Sequence, residues 1–457
     1  MRRITAGICL VVGVFSSGVL PALSEDEVQA ESAFIEQAKL PDAIDSRGAR
    51  PKADPSVISP AVDALPPQLL PLAAPPTLAL PDAPSQVRIH ELRPLTLEEA
   101  LQLADVNSLQ LKAAARQVDQ AKSSLRAAIA AWYPTIDLTA SGLPEYFASY
   151  SYLNPDFVTP DPLTGKTNND LYGREWRVNG RLQVSWDLIN PARVPQIAAA
   201  RDRFERAGDS YLIALRDLRL EVQTAYFALQ QSDAGVRIGQ DSVKASLVSY
   251  RDARARFNAG VNTKLEVLEA ETQLARDRNI LTSSLRDQDE QRRNLARVLD
   301  LPQDVTPTAA TPSRPIGSWE PSLQESIVAA YNYSEELDQL ILDISINNSQ
   351  ANASLAAVQP VVRFVNSTSA SRTEGQNGQT SLGDIDMGDF TYGVQNSTAL
   401  TASWRLFDGG RARAEYKRSK QAAEESRLNF ARTRDQIRFQ VERSFFGLRA
   451  AIQSIET

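Results

Sequence analysis

The side chains that most often carry chemistry are scarce in this chain. It contains one histidine, His90, and one cysteine, Cys9, among 457 residues. Most metal sites need several such ligands, and cysteine or histidine catalysis needs partners that are absent. Carboxylates are plentiful, but they lie one or three positions apart on solvated faces of predicted helices, as with Glu98, Glu99, Glu266 and Glu269. Without a glycine-rich phosphate loop or a nucleophile motif, the sequence predicts neither an enzyme nor a cofactor.

The net charge and the N-terminal sequence limit which partners and which cellular compartment the protein can have. The formal net charge is -7, which argues against nucleic acid as a partner. Arg2 and Arg3 precede an apolar run from Ile4 to Leu20, and small residues follow at 22–24. This pattern predicts a secretory signal peptide at 1–24; an N-terminal membrane anchor is the alternative. After cleavage no cysteine would remain, which suits an oxidising compartment.

Two stretches alternate between apolar and polar residues. Residues 135–141 and 176–188 have a period of two, which predicts β-strands. A polar loop at about 142–174 would join them into a hairpin over 134–190. One face of this hairpin is predicted to carry Asp137, Arg177, Arg181, Gln183 and Asp187. In a soluble sheet that face would meet solvent; in an outer-membrane barrel it would line water while the apolar face met lipid. The alternation alone fits both.

The longest predicted element is a helix over 193–258, roughly 100 Å long at 1.5 Å per residue. Its apolar and small residues recur at steps of four and three, which predicts lengthwise packing on other helices. A tight turn at Gly260 ends it, and a return helix follows over 263–300. We refer to the residues around this turn as the tip: Arg256, Asn258, Gly260, Val261, Thr263 and Leu265.

The whole pattern occurs twice. Tyr133-Pro134 and Gln359-Pro360 lie 226 positions apart, and each pair ends a helix before a strand. The first repeat is predicted at 94–302 and the second at 321–457, with its hairpin at 360–408. Proline-rich segments at 25–93 and 303–320 are predicted to be linkers. Because the chain stops at Thr457 within a predicted helix, we expect the second repeat to be incomplete.

These elements predict a mainly α-helical fold with β-hairpins, built from a duplicated helix–β-hairpin–long helix–helix unit. Four strands cannot close a barrel around water, whereas three copies would supply twelve. The expected assembly is a homotrimer with a 12-stranded β-barrel continued by a long α-helical barrel.

This organisation resembles the TolC family of outer-membrane efflux and type I secretion channels. The resemblance covers about 94–457, and two kinds of motif carry it. The strands end in Trp-Asp-Leu-Ile-Asn-Pro from Trp186 and in Trp-Arg-Leu-Phe-Asp-Gly-Gly from Trp404. The tip reads Arg-Phe-Asn-Ala-Gly-Val-Asn-Thr from Arg256, followed by Leu-Glu-Val-Leu from Leu265.

The resemblance implies a passive exit duct in the cell outer membrane that projects into the periplasm. Its tip would dock a periplasmic adaptor (membrane fusion protein) that leads to an inner-membrane pump. The family's gate is built mainly from the lower second repeat, so no gate residue is assigned. A soluble periplasmic coiled-coil scaffold or adaptor is the alternative, but it does not explain the duplicated hairpins.

Overall fold

The computed structural model describes residues 66–84 except 67, 77 and 79, together with residues 91–152, 170–313, 319–379 and 390–456. The predicted signal peptide, Cys9 and His90 lie outside these ranges. Among the described residues, the strands and α-helices are, in chain order, β1 (Glu91–Leu95), α1 (Leu97–Asn107), α2 (Leu109–Ile129), β2 (Thr135–Tyr152), β3 (Asp170–Ile189), α3 (Arg193–Asn258), α4 (Lys264–Val298), β4 (Val305–Ala309), α5 (Leu323–Asn332), α6 (Glu335–Leu355), β5 (Val361–Gln379), β6 (Phe390–Ser403) and α7 (Arg411–Glu456).

The sequence predicts one continuous helix from Thr96 to Trp132, before Tyr133-Pro134, but the structure has two helices there that meet at Ser108. The Ser108 side chain caps the start of α2. Asp300, at the end of α4, accepts a hydrogen bond from the backbone N–H of Leu109 at 3.0 Å. First-turn N–H groups have no partner within a helix, so this carboxylate supplies one. The second repeat is interrupted in the same way at Ser334, 226 positions later.

The long helix α3 is the central element of the helical part. It packs along α4, α2 and α6. The predicted heptad-like seam is confirmed from Leu215 to Gly239, whereas Arg254 and Phe257 at its far end are exposed. Its buried positions include Leu215, Leu218, Val222, Ala225, Leu229, Val236 and Gly239.

The carbonyl of Leu299 accepts a hydrogen bond from the Asn107 side chain at 3.3 Å. The end of α4 therefore lies beside the start of α2, and both pack on α3.

A close approach between α3 and α4 occurs at Gly239. A Cβ atom added there would lie 3.3 Å from the Leu281 Cα atom, whereas one added at Gly235 would meet nothing within 4 Å. We expect Gly239→Ala to lower the free energy of unfolding by about 1–2 kcal/mol because the helices must separate. Gly235→Ala should raise it by up to about 1 kcal/mol through helix propensity. Thermal unfolding by circular dichroism measures both, and equal stabilisation by the two changes would contradict this packing.

Part of the proline-rich segment differs from the predicted linker. Leu69 and Leu72 are 1% and 2% exposed and belong to the core formed by α1, α3 and α4. We call residues 69–74 the N-terminal strap. Further along, β1 begins at Glu91 and pairs in parallel with β4, which lies in the predicted linker 303–320. Leucines between the prolines fill the core, and this burial outweighs the extended preference of proline.

Asn107 holds the strap by side-chain hydrogen bonds. Its Nδ2 donates to the carbonyl of Leu72 at 2.9 Å, and its Oδ1 accepts the N–H of Ala74 at 3.0 Å. The side chain is buried, so Asn107→Ala should cost about 2–3 kcal/mol of stability by leaving buried backbone groups without partners. The control Gln110→Ala, on the exposed surface, should change stability by less than about 0.5 kcal/mol. Urea unfolding measures both, and indistinguishable midpoints would argue against this role.

The strands of both hairpins form one antiparallel sheet in the order β2-β3-β5-β6. The strands β2 and β3 extend well into the region predicted as a loop at 142–174. Gly142 and Pro144 lie in a bulge, because Ser141 pairs with Asn179 and Glu145 with Arg177. Four positions on β2 therefore match two on β3. Because the excess is an even number of residues, the side chains on both sides of the bulge keep the same alternation between the two faces of the sheet.

Candidate functional sites

One face of the sheet is polar across both hairpins. Register and alternation place all five predicted lumen residues on it: Asp137, Arg177, Arg181, Gln183 and Asp187. The face continues onto β5 and β6 as a row of small hydroxyl side chains: Ser367, Ser369, Ser371 and Ser397. The sequence analysis did not predict these serines, and they make the polar face larger than predicted.

Charged groups on the polar face are mostly paired. Arg177 forms an ion pair with Glu175, and its guanidinium lies 4.0 Å from the centre of the Phe147 ring. Asp187 accepts a hydrogen bond from Arg363 of β5 and so links the two hairpins at the end of the sheet nearest the helices. Arg181 is exposed at the middle of β3. Such a surface suits contact with water.

The opposite face is largely apolar and is bounded by aromatic rings. It carries Leu138, Leu182, Val184, Val394 and Leu400, all of them exposed or half-buried in the single chain. Trp186 and Trp176 occupy the same face of β3, ten residues apart. At about 3.3 Å per residue this is roughly 33 Å along the strand, or about 25 Å of height at the tilt of a barrel strand. That height matches the apolar band of an outer-membrane barrel.

An asparagine–threonine ladder interrupts the apolar face on β5 and β6. The Nδ2 of Asn366 donates to the Thr398 hydroxyl at 2.7 Å, and the Nδ2 of Asn396 donates to the Thr368 hydroxyl at 2.6 Å. Polar side chains in an apolar environment are tolerated when they bond to one another. Sequence reasoning missed this ladder, although four polar residues among alternating apolar ones were a visible signal.

Matching contacts join each hairpin to its helices. The indole N–H of Trp186 donates to the carbonyl of Trp132 at 2.9 Å, and that of Trp404 donates to the carbonyl of Val358 at 3.0 Å. The two acceptors are 226 positions apart, as the duplication predicts. In the second repeat, the backbone N–H of Ala412, supported by that of Gly410, holds the pKa of the Asp408 carboxyl below its ordinary value. Asp408 is therefore ionised at the start of α7, where negative charge is favourable.

The tip is a compact turn with exposed apolar side chains. Gly260 has a φ of +75°, a conformation that favours glycine. The carbonyl of Arg256 accepts the N–H of Val261 at 3.0 Å, and the Thr263 side chain caps α4. Val261 and Leu265 are 75% and 64% exposed. All six predicted tip residues therefore lie at or beside one turn, which presents apolar surface at the end of a helical hairpin.

Other kinds of site are not found in the part of the chain that the structure describes. There, no cluster of histidine, cysteine and carboxylate side chains could hold a metal ion. The described helices include none that is long and apolar enough to cross a membrane.

Several solved structures share this fold. CusC, whose crystal structures concern transmembrane channel formation, is 17% identical, with a TM-score of 0.57 over 86% of this chain and 83% of its own. VceC from Vibrio cholerae is 17% identical, with a TM-score of 0.53 over 74% and 75%. The CmeC channel from Campylobacter jejuni is 15% identical, with a TM-score of 0.52 over 84% and 83%. The duplicated helices and amphipathic hairpins thus define a TolC-like channel fold.

The sequence identifies the family. The model of the outer membrane efflux protein family matches residues 100–300 and 327–457, more than half of the chain. The chain therefore belongs to the outer membrane efflux protein family, which confirms the TolC resemblance and the predicted mainly α-helical fold with duplicated β-hairpins. No curated protein sequence gives a significant match.

Proposed function

We propose that the protein is the outer-membrane channel of a tripartite efflux or type I secretion system. The observation that carries this proposal is the four-stranded sheet with one polar and one apolar face, bounded by Trp176 and Trp186 on the apolar side. Within one chain, β2 and β6 are the edge strands of that sheet. Three copies joined edge to edge would supply twelve strands and leave no open edge in lipid, which is what a membrane barrel requires.

In this trimer the polar face lines the passage. Asp137, Arg177, Arg181, Gln183 and Asp187 would face water, and the serines of β5 and β6 would widen the polar wall. The helices α2, α3 and α4 of the first repeat and α6 and α7 of the second would continue the passage as an α-helical barrel into the periplasm. We expect solutes to move through this passage passively, because diffusion along a polar wall requires no chemical step carried out by the protein.

The tip is the proposed contact with a periplasmic adaptor, which in turn engages an inner-membrane pump. Val261 and Leu265 offer the apolar anchors that protein interfaces use, and the Gly260 turn brings α3 and α4 close enough to present both. The Arg256 and Asn258 side chains lie beside them in sequence and would add polar contacts at the rim.

Membrane extraction tests this proposal against a soluble periplasmic scaffold. An inserted barrel should stay in the membrane pellet after alkaline carbonate treatment and be released only by detergent. A scaffold would be released by carbonate alone, and that result would overturn the channel proposal.

Trp186→Ala and Trp404→Ala together, which remove the two indole contacts to the helix ends, should reduce the carbonate-resistant fraction.

A further inference from the structure

Among the described side chains of the apolar face, the charged ones lie near the hairpin ends of the sheet. Arg174 follows the alternation of β3 two residues beyond Trp176, toward the connection between β2 and β3. Arg372 and Glu374 occupy the same face of β5, where Arg372 pairs with Val178 and Glu374 with Trp176. Three charged side chains therefore surround one aromatic level on a face that is otherwise built for lipid.

The aromatic rings set the depth of this cluster. Tyr146 and Trp176 pair across β2 and β3 with ring centres 4.9 Å apart, and both rings are about half exposed. Tyrosine and tryptophan prefer the boundary between hydrocarbon and headgroups. Two residues beyond that boundary, Arg174 would stand about 5 Å higher on a tilted strand. That is the depth of lipid phosphates rather than of acyl chains.

Arg372 starts deeper, and its side chain reaches the level of Trp176. Its guanidinium contacts the Glu374 carboxylate at 3.2 Å, so the side chain extends toward the hairpin end of the sheet. Long cationic side chains extend in this way from apolar surroundings to the interface. Tyr392, which pairs with Arg372 on β6, flanks it and is 61% exposed. Arg372 therefore lies at the aromatic boundary, one step of the strand alternation below Arg174.

We propose that Arg174 and Arg372 form a binding site on the outer surface of the sheet for the phosphate of an anionic lipid headgroup. Arginine binds phosphate by paired N–H donors, and Trp176, Tyr146 and Tyr392 provide the surface on which the lipid's glycerol or sugar region would rest. Glu374 holds the Arg372 guanidinium in place and disfavours crowding by a second anion. This inference rests on the proposed insertion of the sheet in a membrane.

The test uses the full chain inserted in phosphatidylcholine vesicles with and without phosphatidic acid. After gentle detergent extraction, native mass spectrometry counts the lipids retained by the wild type, by Arg174→Ala/Arg372→Ala and by Arg181→Ala. Arg181 is the matched control, because it lies on the same strand and carries the same charge on the opposite face. The wild type and Arg181→Ala should enrich phosphatidic acid about tenfold over phosphatidylcholine, and the double variant should show no enrichment.

Three results would overturn the inference: equal enrichment by the double variant, equal loss in Arg181→Ala, or complete displacement of the lipid by added inorganic phosphate. The last result would mean a site for free phosphate rather than for a lipid. Resistance to carbonate extraction, measured on the same vesicles, separates the two proposals. A wild type that inserts but shows no lipid preference contradicts only the headgroup site, whereas a wild type that does not insert contradicts the channel proposal itself.

Discussion

Cells producing Leu182→Arg are expected to contain about tenfold less of the protein in their outer membrane than cells producing Gln183→Arg. Leu182 lies in the middle of the apolar face, and Gln183 lies next to it on the polar face, opposite Asp137. A lipid-facing arginine at the midplane of a barrel costs about 2–4 kcal/mol, and a lumen-facing one costs little. Each trimer would carry the change three times.

The two variants are matched in charge, in element and in depth, so a general effect of arginine cancels between them. Folded protein in isolated outer membranes is measured by its resistance to carbonate and by its mobility on unheated gels. If Gln183→Arg lost as much protein as Leu182→Arg, or if neither lost any, the two faces would not differ in their surroundings. The sheet would then not be a membrane barrel of the proposed orientation.

Replacing both exposed apolar residues of the tip should abolish efflux without reducing the amount of channel. Val261→Asp/Leu265→Asp places charge where an adaptor is expected to bury apolar surface, and burying an unpaired carboxylate costs on the order of several kcal/mol. Since both side chains are largely exposed in the single chain, folding should be unaffected. Accumulation of a fluorescent efflux substrate should rise to the level of cells that lack the protein.

The control is Val248→Asp, which makes the same change on an exposed residue of α3, roughly 15 Å from the end of that helix. It should leave accumulation at the wild-type level. Gly260→Ala should have an intermediate effect, because nothing lies within 4 Å of the added Cβ atom but the backbone has a φ of +75° and alanine resists that conformation by about 1 kcal/mol. Wild-type efflux by the double tip variant would contradict adaptor docking at the tip.

Much of the fold could be predicted because its signals are local and occur twice. The period of two in residues 176–188 predicted β3 and the grouping of its polar side chains, and the heptad-like steps of α3 predicted its buried seam. The helix-to-strand junctions at Tyr133-Pro134 and Gln359-Pro360 aligned the two repeats. In the structure, the equivalent contacts of Trp186 and Trp404 follow the same alignment.

The features that were missed depend on partners far away in the chain. The break at Ser108 has a local cap in the Ser108 side chain, but it is also supported by Asp300, almost two hundred residues later. Gly142 and Pro144 are typical of turns, and only the pairing with β3 makes them a bulge. Leu69 and Leu72 lie between prolines with no periodic pattern, so nothing local distinguished the strap from a spacer. The four polar residues of the asparagine–threonine ladder stand out in the sequence, but which of them bond to each other follows only from the register of β5 and β6.

The most direct test of the central claim is thiol labelling of Val184→Cys and Gln183→Cys. The only natural cysteine is Cys9, inside the predicted signal peptide, so a mature chain would carry a single label site. With the protein in native outer membranes, a bulky water-soluble maleimide should label the residue-183 variant at least about tenfold faster, because its side chain would face water and that of residue 184 would face lipid. Equal rates, or faster labelling at residue 184, would contradict a membrane barrel with the polar face inside.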